Sequence, residues 1–179
     1  MKYLKRYREL NEGLRDKMTG KPVDDILNDI KDLPNNEKIE KMLYYGLPDK
    51  YFPRNSDGWC VYEGELNIGN ILFMNIAAFP EKFIVNGDLI VPLAELRELP
   101  NDLIVNGDLD CSFNYLTRLP KGLKVQGDLH ASDNNISELP QDLVVGGVLD
   151  VVNNNLPSDV EKPVGVKRMI GSYEVFTNI

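Results

Sequence analysis

Catalysis needs side chains that move protons, attack carbon or hold metal, and this chain carries few of them. One histidine, His130, stands in 179 residues beside two cysteines, Cys60 and Cys111. His130 falls at an outward strand position, where an exposed, ordinary histidine is expected. No paired C-x-x-C, no H-E-x-x-H, no G-x-S-x-G and no phosphate-binding glycine loop with Lys occurs. The expectation is no catalytic residue, no metal and no cofactor, with Cys111 a small core residue.

What does recur is aspartate. Asp88, Asp108 and Asp128 fall 20 residues apart, and the series breaks to Val148. In successive parallel strands such carboxylates stand about 4.8 Å apart. They repel by roughly 1 kcal/mol in water and by about 3–4 kcal/mol at an effective dielectric of 20. Two arrangements offset this. Each carboxylate accepts a hydrogen bond from the turn at the preceding glycine, a structural role. Alternatively, the acidic column attracts a cation or a basic partner surface.

The elements that position this column come from a repeat. Prolines fall at Pro80, Pro100, Pro120 and Pro140, glycines at Gly87, Gly107, Gly127 and Gly147, and leucines at Leu89, Leu109, Leu129 and Leu149. "CVYEGELNIG" is a looser copy, with Gly64 standing 23 residues ahead of Gly87. A unit of this size cannot bury its apolar side alone and must stack on its neighbours. Alternation over "DLDCS" marks a short strand, followed by an asparagine and a proline turn. Leu109, Cys111, Asn114 and Leu116 are expected to point inward, as are Leu129, Ala131, Asn134 and Ile136. The enclosed Asn amide is expected to bond backbone groups of adjacent coils. No helical period fits in the remainder of the unit, so the return path is expected to be extended or polyproline-like. One unit, "DLIVPLAELRELP", places Pro92 in the strand and Ala94 where the asparagine belongs, which predicts a broken rung and an irregular strand.

The unit L-P-x-x-L-x-V-x-G-D-L-x-x-S-x-N-x-L resembles the leucine-rich repeat, in its short 20-residue, L-P-containing bacterial variety. The resemblance covers roughly residues 59–156 and implies a curved solenoid with a parallel sheet on its concave face. Some secreted bacterial effectors with similar repeats carry a ubiquitin-ligase domain with a cysteine in a C-x-D setting. Cys111 precedes Ser112–Phe113 and Cys60 precedes Val61–Tyr62, so neither matches. The segment "ELNEGLRDKMTGKPVDDILNDIKDLPNNEKI" resembles a leader found on repeat proteins of tailed bacteriophages. That second resemblance implies a phage-encoded protein acting in a bacterial cytoplasm or packaged in a virion.

A solenoid exposes its core at each end unless something covers it. Tyr3, Tyr7, Leu10, Leu14 and Met18 form an apolar stripe for a helix over residues 2–18, which Gly20 stops. Pro22 suits the first turn of a second helix carrying Val23, Ile26, Leu27 and Ile30, and a third runs from about Asn36 to Tyr45. The expected architecture is an α+β solenoid: a helical N-terminal cap over 1–58, a leucine-rich-repeat solenoid over 59–158, and a C-terminal cap over 159–179. In that last segment Val166, Met169, Ile170, Tyr173 and Val175 are expected to end the sheet.

Composition narrows the partners. Residues 1–58 carry 12 Lys and Arg against 11 Asp and Glu, a net of +1, whereas residues 59–179 carry 8 against 17, a net of −9. An acidic array is a poor match for a nucleic-acid backbone. No apolar run is long enough to span a bilayer, no continuous apolar stretch follows the basic N-terminus, so that no secretory signal is expected, and two cysteines make no disulfide framework. A cytoplasmic protein without membrane or nucleic-acid partners is expected.

Constant positions build the coil, and the positions that vary are expected to be free of scaffold duty. On the concave side these are Ile90, Asp110, His130 and Asp150 in one column, and Pro92, Ser112, Ser132 and Val152 in a second. Leu93, Phe113, Asp133 and Asn153 form a third. The first and third columns are the expected binding residues, with Phe113 and His130 at the centre. The function expected is a non-enzymatic interaction module for a protein partner with a basic surface, such as a host defence protein. The alternative is a structural, self-assembling protein of the virion.

Overall fold

The computed structural model describes residues 21–68, 79–171 and 175–177. The helix expected over residues 2–18 and the position of Tyr173 lie outside the described residues. Each unit folds into one coil, and every coil before the last holds two short strands rather than one. In chain order these are β1 (Cys60–Glu63), β2 (Leu66–Asn67), β3 (Phe83–Asn86), β4 (Leu89–Ile90), β5 (Ile104–Val105), β6 (Leu109–Asp110), β7 (Lys124–Val125), β8 (Leu129–His130) and β9 (Val144–Asp150). β1, β3, β5 and β7 stack in parallel toward β9, and β2, β4, β6 and β8 form a second parallel ladder that also ends on β9. The molecule is a parallel-strand β-solenoid of about five turns.

The L-x-V stretch of each unit is therefore not an unpaired return path. It is extended, as expected, but its backbone is tied to the neighbouring coils, with Lys124 N donating to Leu103 O at 3.0 Å and Gln126 N to Val105 O at 2.9 Å. In β5 and β7 two residues are too few to show an alternation of their own, whereas the four-residue β1 and β3 do alternate in burial. The corner between the strands is Asn-Gly-Asp at 86–88 and 106–108 and Gln-Gly-Asp at 126–128; where Gly146–Gly147–Val148 replaces it, the strand runs through unbroken as β9.

The inward columns match expectation. Leu66, Leu89, Leu109, Leu129 and Leu149 pair in register and are buried. Cys111, Ala131, Leu116 and Ile136 are buried beside them. Asn114, Asn134 and Asn154 spend their amides on adjacent backbone: Asn134 Nδ2 donates to Cys111 O and Ala131 O, and its Oδ1 accepts from Leu116 N. No helix occurs among the described residues 79–171.

Pro92 breaks less than expected. In a parallel ladder alternate residues donate to one neighbour. Here Leu89, Val91 and Leu93 donate to Asp108, Asp110 and Ser112, so the imino nitrogen of Pro92 is not missed. β4 keeps the common register. The irregularity lies in the turn instead, where Leu93 and Glu95 both have positive φ, at 57° and 56°.

Among the described residues two α-helices precede the array, α1 (Val23–Ile30) and α2 (Asn35–Tyr44), each following a proline, Pro22 or Pro34. Their buried residues, Val23, Ile26, Ile30, Ile39, Met42 and Leu43, join the same core as Cys60, Tyr62 and Phe83. α2 lies against β1, the outermost strand of its ladder. Asn36 acts there as a stand-in peptide group: its Oδ1 accepts from Glu63 N at 3.0 Å and its Nδ2 donates to Glu63 O at 2.6 Å. Exposed strand edges invite pairing with other chains, and this contact blunts one. Arg54 ties the same region down, donating to Gly58 O and Glu81 O and pairing with Asp49.

At the other end β10 (Val166–Ile170) adds in parallel to β9, and β11 (Val175–Thr177) pairs antiparallel with β10. A register shift between Val166 and Arg168 puts Val166 and Met169 inside, three residues apart, where a regular strand would bury residues two apart.

Candidate interaction face

The second strands place the predicted columns as the repeat dictates. Ile90, Asp110, His130 and Asp150 pair directly, one per coil, on the side facing away from the leucines. His130 is exposed and the other three are half-buried. This is a row of variable side chains at strand spacing, about 4.8 Å apart.

Variation in that row is not free of scaffold duty. Asp110 Oδ1 accepts from Ser112 N at 3.0 Å and from Ser112 Oγ at 2.6 Å, and Asp150 Oδ1 accepts from Val152 N at 3.0 Å. Ile90 has no such job, because the residue two places on is Pro92, which has no N–H to satisfy. Residue choice in the first column is thus coupled to the second. The expectation that varying residues carry no scaffold work fails at Asp110 and Asp150, for a local reason that comparison between repeats hides.

The constant aspartates are bonded differently from the expected turn. Asp88 Oδ1 accepts from Asp108 N at 2.8 Å, Asp108 Oδ1 from Asp128 N at 2.7 Å, and Asp128 Oδ1 from Val148 N at 2.7 Å. The donor is the next coil, not the glycine before the aspartate. That arrangement also explains the constant glycines. A Cβ on Gly107 would stand 2.0 Å from Asp88 Oδ1, on Gly127 1.9 Å from Asp108 Oδ1, and on Gly147 2.0 Å from Asp128 Oδ1. Glycine leaves the space the carboxylate occupies, and the two columns form one inter-coil clamp. These contacts give the aspartates structural work.

The clamp predicts a coupling. Gly127→Ala should lower stability by about 1–3 kcal/mol, as overpacking does. In an Asp108→Ala background the added penalty should shrink, since the next contact is Gly107 backbone at 3.0 Å. The same rescue should be smaller for Gly107→Ala in Asp88→Ala, because Gly87 backbone remains at 2.7 Å. Urea denaturation of both double-mutant cycles measures the difference; equal rescue would reject the clamp.

The third column carries strain. Leu93, Phe113, Asp133 and Asn153 have φ of 57°, 55°, 54° and 55°. This left-handed region costs an ordinary L-residue roughly 1–2 kcal/mol, and Asn and Asp tolerate it best. Asp133 and Asn153 are suited to it and bond to each other, Asn153 Nδ2 donating to Asp133 Oδ1 at 2.9 Å. Leu93 and Phe113 are not suited to it, and they are 70% and 54% exposed. Tyr115, 51% exposed, stands two residues beyond Phe113 with the Arg97 guanidinium 5.9 Å from its ring centroid.

Sequence reading missed three features of this surface. Arg97 falls in the irregular turn and Tyr115 in the turn of the next coil, both outside any alternating pattern. An amide ladder runs along the corner, Asn86 Nδ2 to Glu63, Asn106 Nδ2 to Asn86 Oδ1, and Gln126 Nε2 to Asn106 Oδ1; the amide before each glycine at period 20 was its signal. Lastly, Val61, Ile84, Ile104, Lys124 and Val144 form an outward column on the first-strand ladder. β-Branched side chains suit such a pleated surface.

Neither cysteine is set up as a nucleophile. Burial pushes the Cys60 thiol up to about 12, with Arg54 opposing the shift, and burial raises the Cys111 thiol still more strongly. Among the described residues no group of three His, Cys, Asp or Glu stands close enough to hold a metal ion. No family model, no curated protein and no solved structure matches this chain.

Proposed function

We propose that this chain is a non-enzymatic interaction module of the leucine-rich-repeat kind, binding a protein partner with a basic surface through the outward face of its second-strand ladder. The observation that carries the reading is the in-register row Ile90, Asp110, His130 and Asp150, flanked by exposed Leu93 and Phe113. A net charge of −9 over residues 59–179 supplies the complementarity to a basic partner. α1 and α2 serve as an N-terminal cap on the first coil in this reading. The resemblance of residues 9–39 to phage leaders makes a host protein, for instance one of a defence system, the natural target.

The test is retention of host-lysate proteins on the immobilised full chain, at low and at raised salt. The comparison is Asp110→Asn/Asp150→Asn, which keeps the acceptor oxygens for Ser112 and Val152 and removes both charges. The expected result is a basic protein whose retention falls with salt and in the variant, at an unchanged melting temperature. Retention indifferent to both would move the site elsewhere. Many copies co-sedimenting with virus particles would favour the virion role instead.

A further inference from the structure

We infer that Leu93 and Phe113 are the anchor of this face, kept at some expense to the fold, and that they receive an arginine set beside an apolar side chain on the partner protein. The inference rests on the interaction reading above and names its energetic centre. Among the described residues seven non-glycine positions have positive φ, and five of these are polar or charged: Lys82, Glu95, Asp102, Asp133 and Asn153. Only Leu93 and Phe113 are apolar, and they occupy successive coils, joined through the ladder by Leu93 N donating to Ser112 O. Apolar side chains in a left-handed conformation are ordinarily excused by burial. These two are 70% and 54% exposed, so the fold gains little from them. Strain held without a packing return is the mark of a contact made with something else.

Charge decides what that contact is. Asp133 is the next member of Phe113's own column, one coil on, with Phe113 N donating to Ser132 O at 3.1 Å. A flat cation that lies on an aromatic face and reaches a carboxylate one strand away is a guanidinium, which stacks on rings and forks to carboxylates as an ammonium does not. The chain already sets a guanidinium over an aromatic ring once, Arg97 over Tyr115 at 5.9 Å. Leu93, on the other side of Phe113, offers the arginine's neighbour an apolar floor.

The experiment has two parts on the full chain. The first measures urea midpoints of Phe113→Asn and Leu93→Asn, asparagine being the residue this backbone accepts at Asn153. Both midpoints should stay level or rise; a clear fall would show that the side chains serve the fold, and would overturn the inference. The second selects a displayed random-peptide library on the wild-type chain and measures affinities of the enriched peptides by fluorescence anisotropy. Enriched peptides should carry Arg next to an apolar residue. They should lose about tenfold or more in affinity to Leu93→Asn/Phe113→Asn, and severalfold when their Arg becomes Lys. Basic peptides that bind the double variant as well as wild type would overturn the anchor while the acidic-face reading stands. Enrichment of acidic peptides, or of none, would sink both.

Discussion

Replacing Asn114 with alanine is expected to lower the stability of the chain by about 3–5 kcal/mol, and by more than Asn134→Ala. Asn114 Oδ1 accepts from two backbone amides, Ala94 N and Leu96 N, both at 3.0 Å. Its Nδ2 faces Val91 O, Cys111 O and Ser112 O at 2.9, 3.0 and 3.1 Å. The residue is 4% exposed, so water cannot replace the lost partners. Each buried group left unmade costs about 1–3 kcal/mol, and two donors lose their acceptor at once. Asn134 accepts from Leu116 N alone, which sets the order of the two variants. The extra bond is to the backbone N–H of Ala94, in the coil that lacks its own asparagine. Urea denaturation of both variants checks the size and the order. A reversed order would mean that Ala94 is satisfied in another way.

That pair of residues shows how the fold was legible. Period 20 fixed the inward leucines and the asparagine ladder because both jobs recur identically in every coil, and identity between copies is visible in a single chain. Ala94 was visible as a gap in the ladder, but its extra bond to Asn114 Oδ1 was not, since Asn114 looks like its neighbours. The first-strand ladder was illegible for a different reason. Its hydrogen bonds run between coils, and β5 and β7, of two residues each, carry no pattern of their own, although the four-residue β1 and β3 alternate in burial. The bulge that places Val166 and Met169 inside is likewise a register event, and alternation cannot reveal it.

The candidate face was legible in position and less so in meaning. Comparing copies sorts constant from variable, and it placed Ile90, Asp110, His130 and Asp150 in the row the structure pairs. It could not see that Asp110 holds the Ser112 amide while Pro92 removes the need at Ile90, because that compensation runs along the chain within one unit. Nor could it see that the third column is left-handed. The hint was there in Asp133 and Asn153, two residues that favour this conformation. Seen with their φ values, Leu93 and Phe113 change from variable residues to residues held against local preference.

Leu129→Ala is expected to cost about 2–5 kcal/mol, the range for truncating a buried leucine whose surroundings cannot collapse. Leu129 is fully buried, with Leu109 paired on one side and Leu149 on the other. Both neighbours are held by parallel ladders, so the cavity cannot close by moving one coil without breaking its bonds to the next. In a solenoid each coil is stabilised by its two interfaces, and a defect at Leu129 weakens both. Val144→Ala is the control. It lies in the adjoining unit but faces outward, 41% exposed, and should cost less than about 1 kcal/mol. Hydrogen exchange adds the position of the damage: amides of Cys111 and Ala131, which donate to His130 O and Asp150 O, should lose protection together in Leu129→Ala. A loss confined to one of them, or a mild drop in stability, would mean that the leucine column does not bear on both interfaces as its register requires.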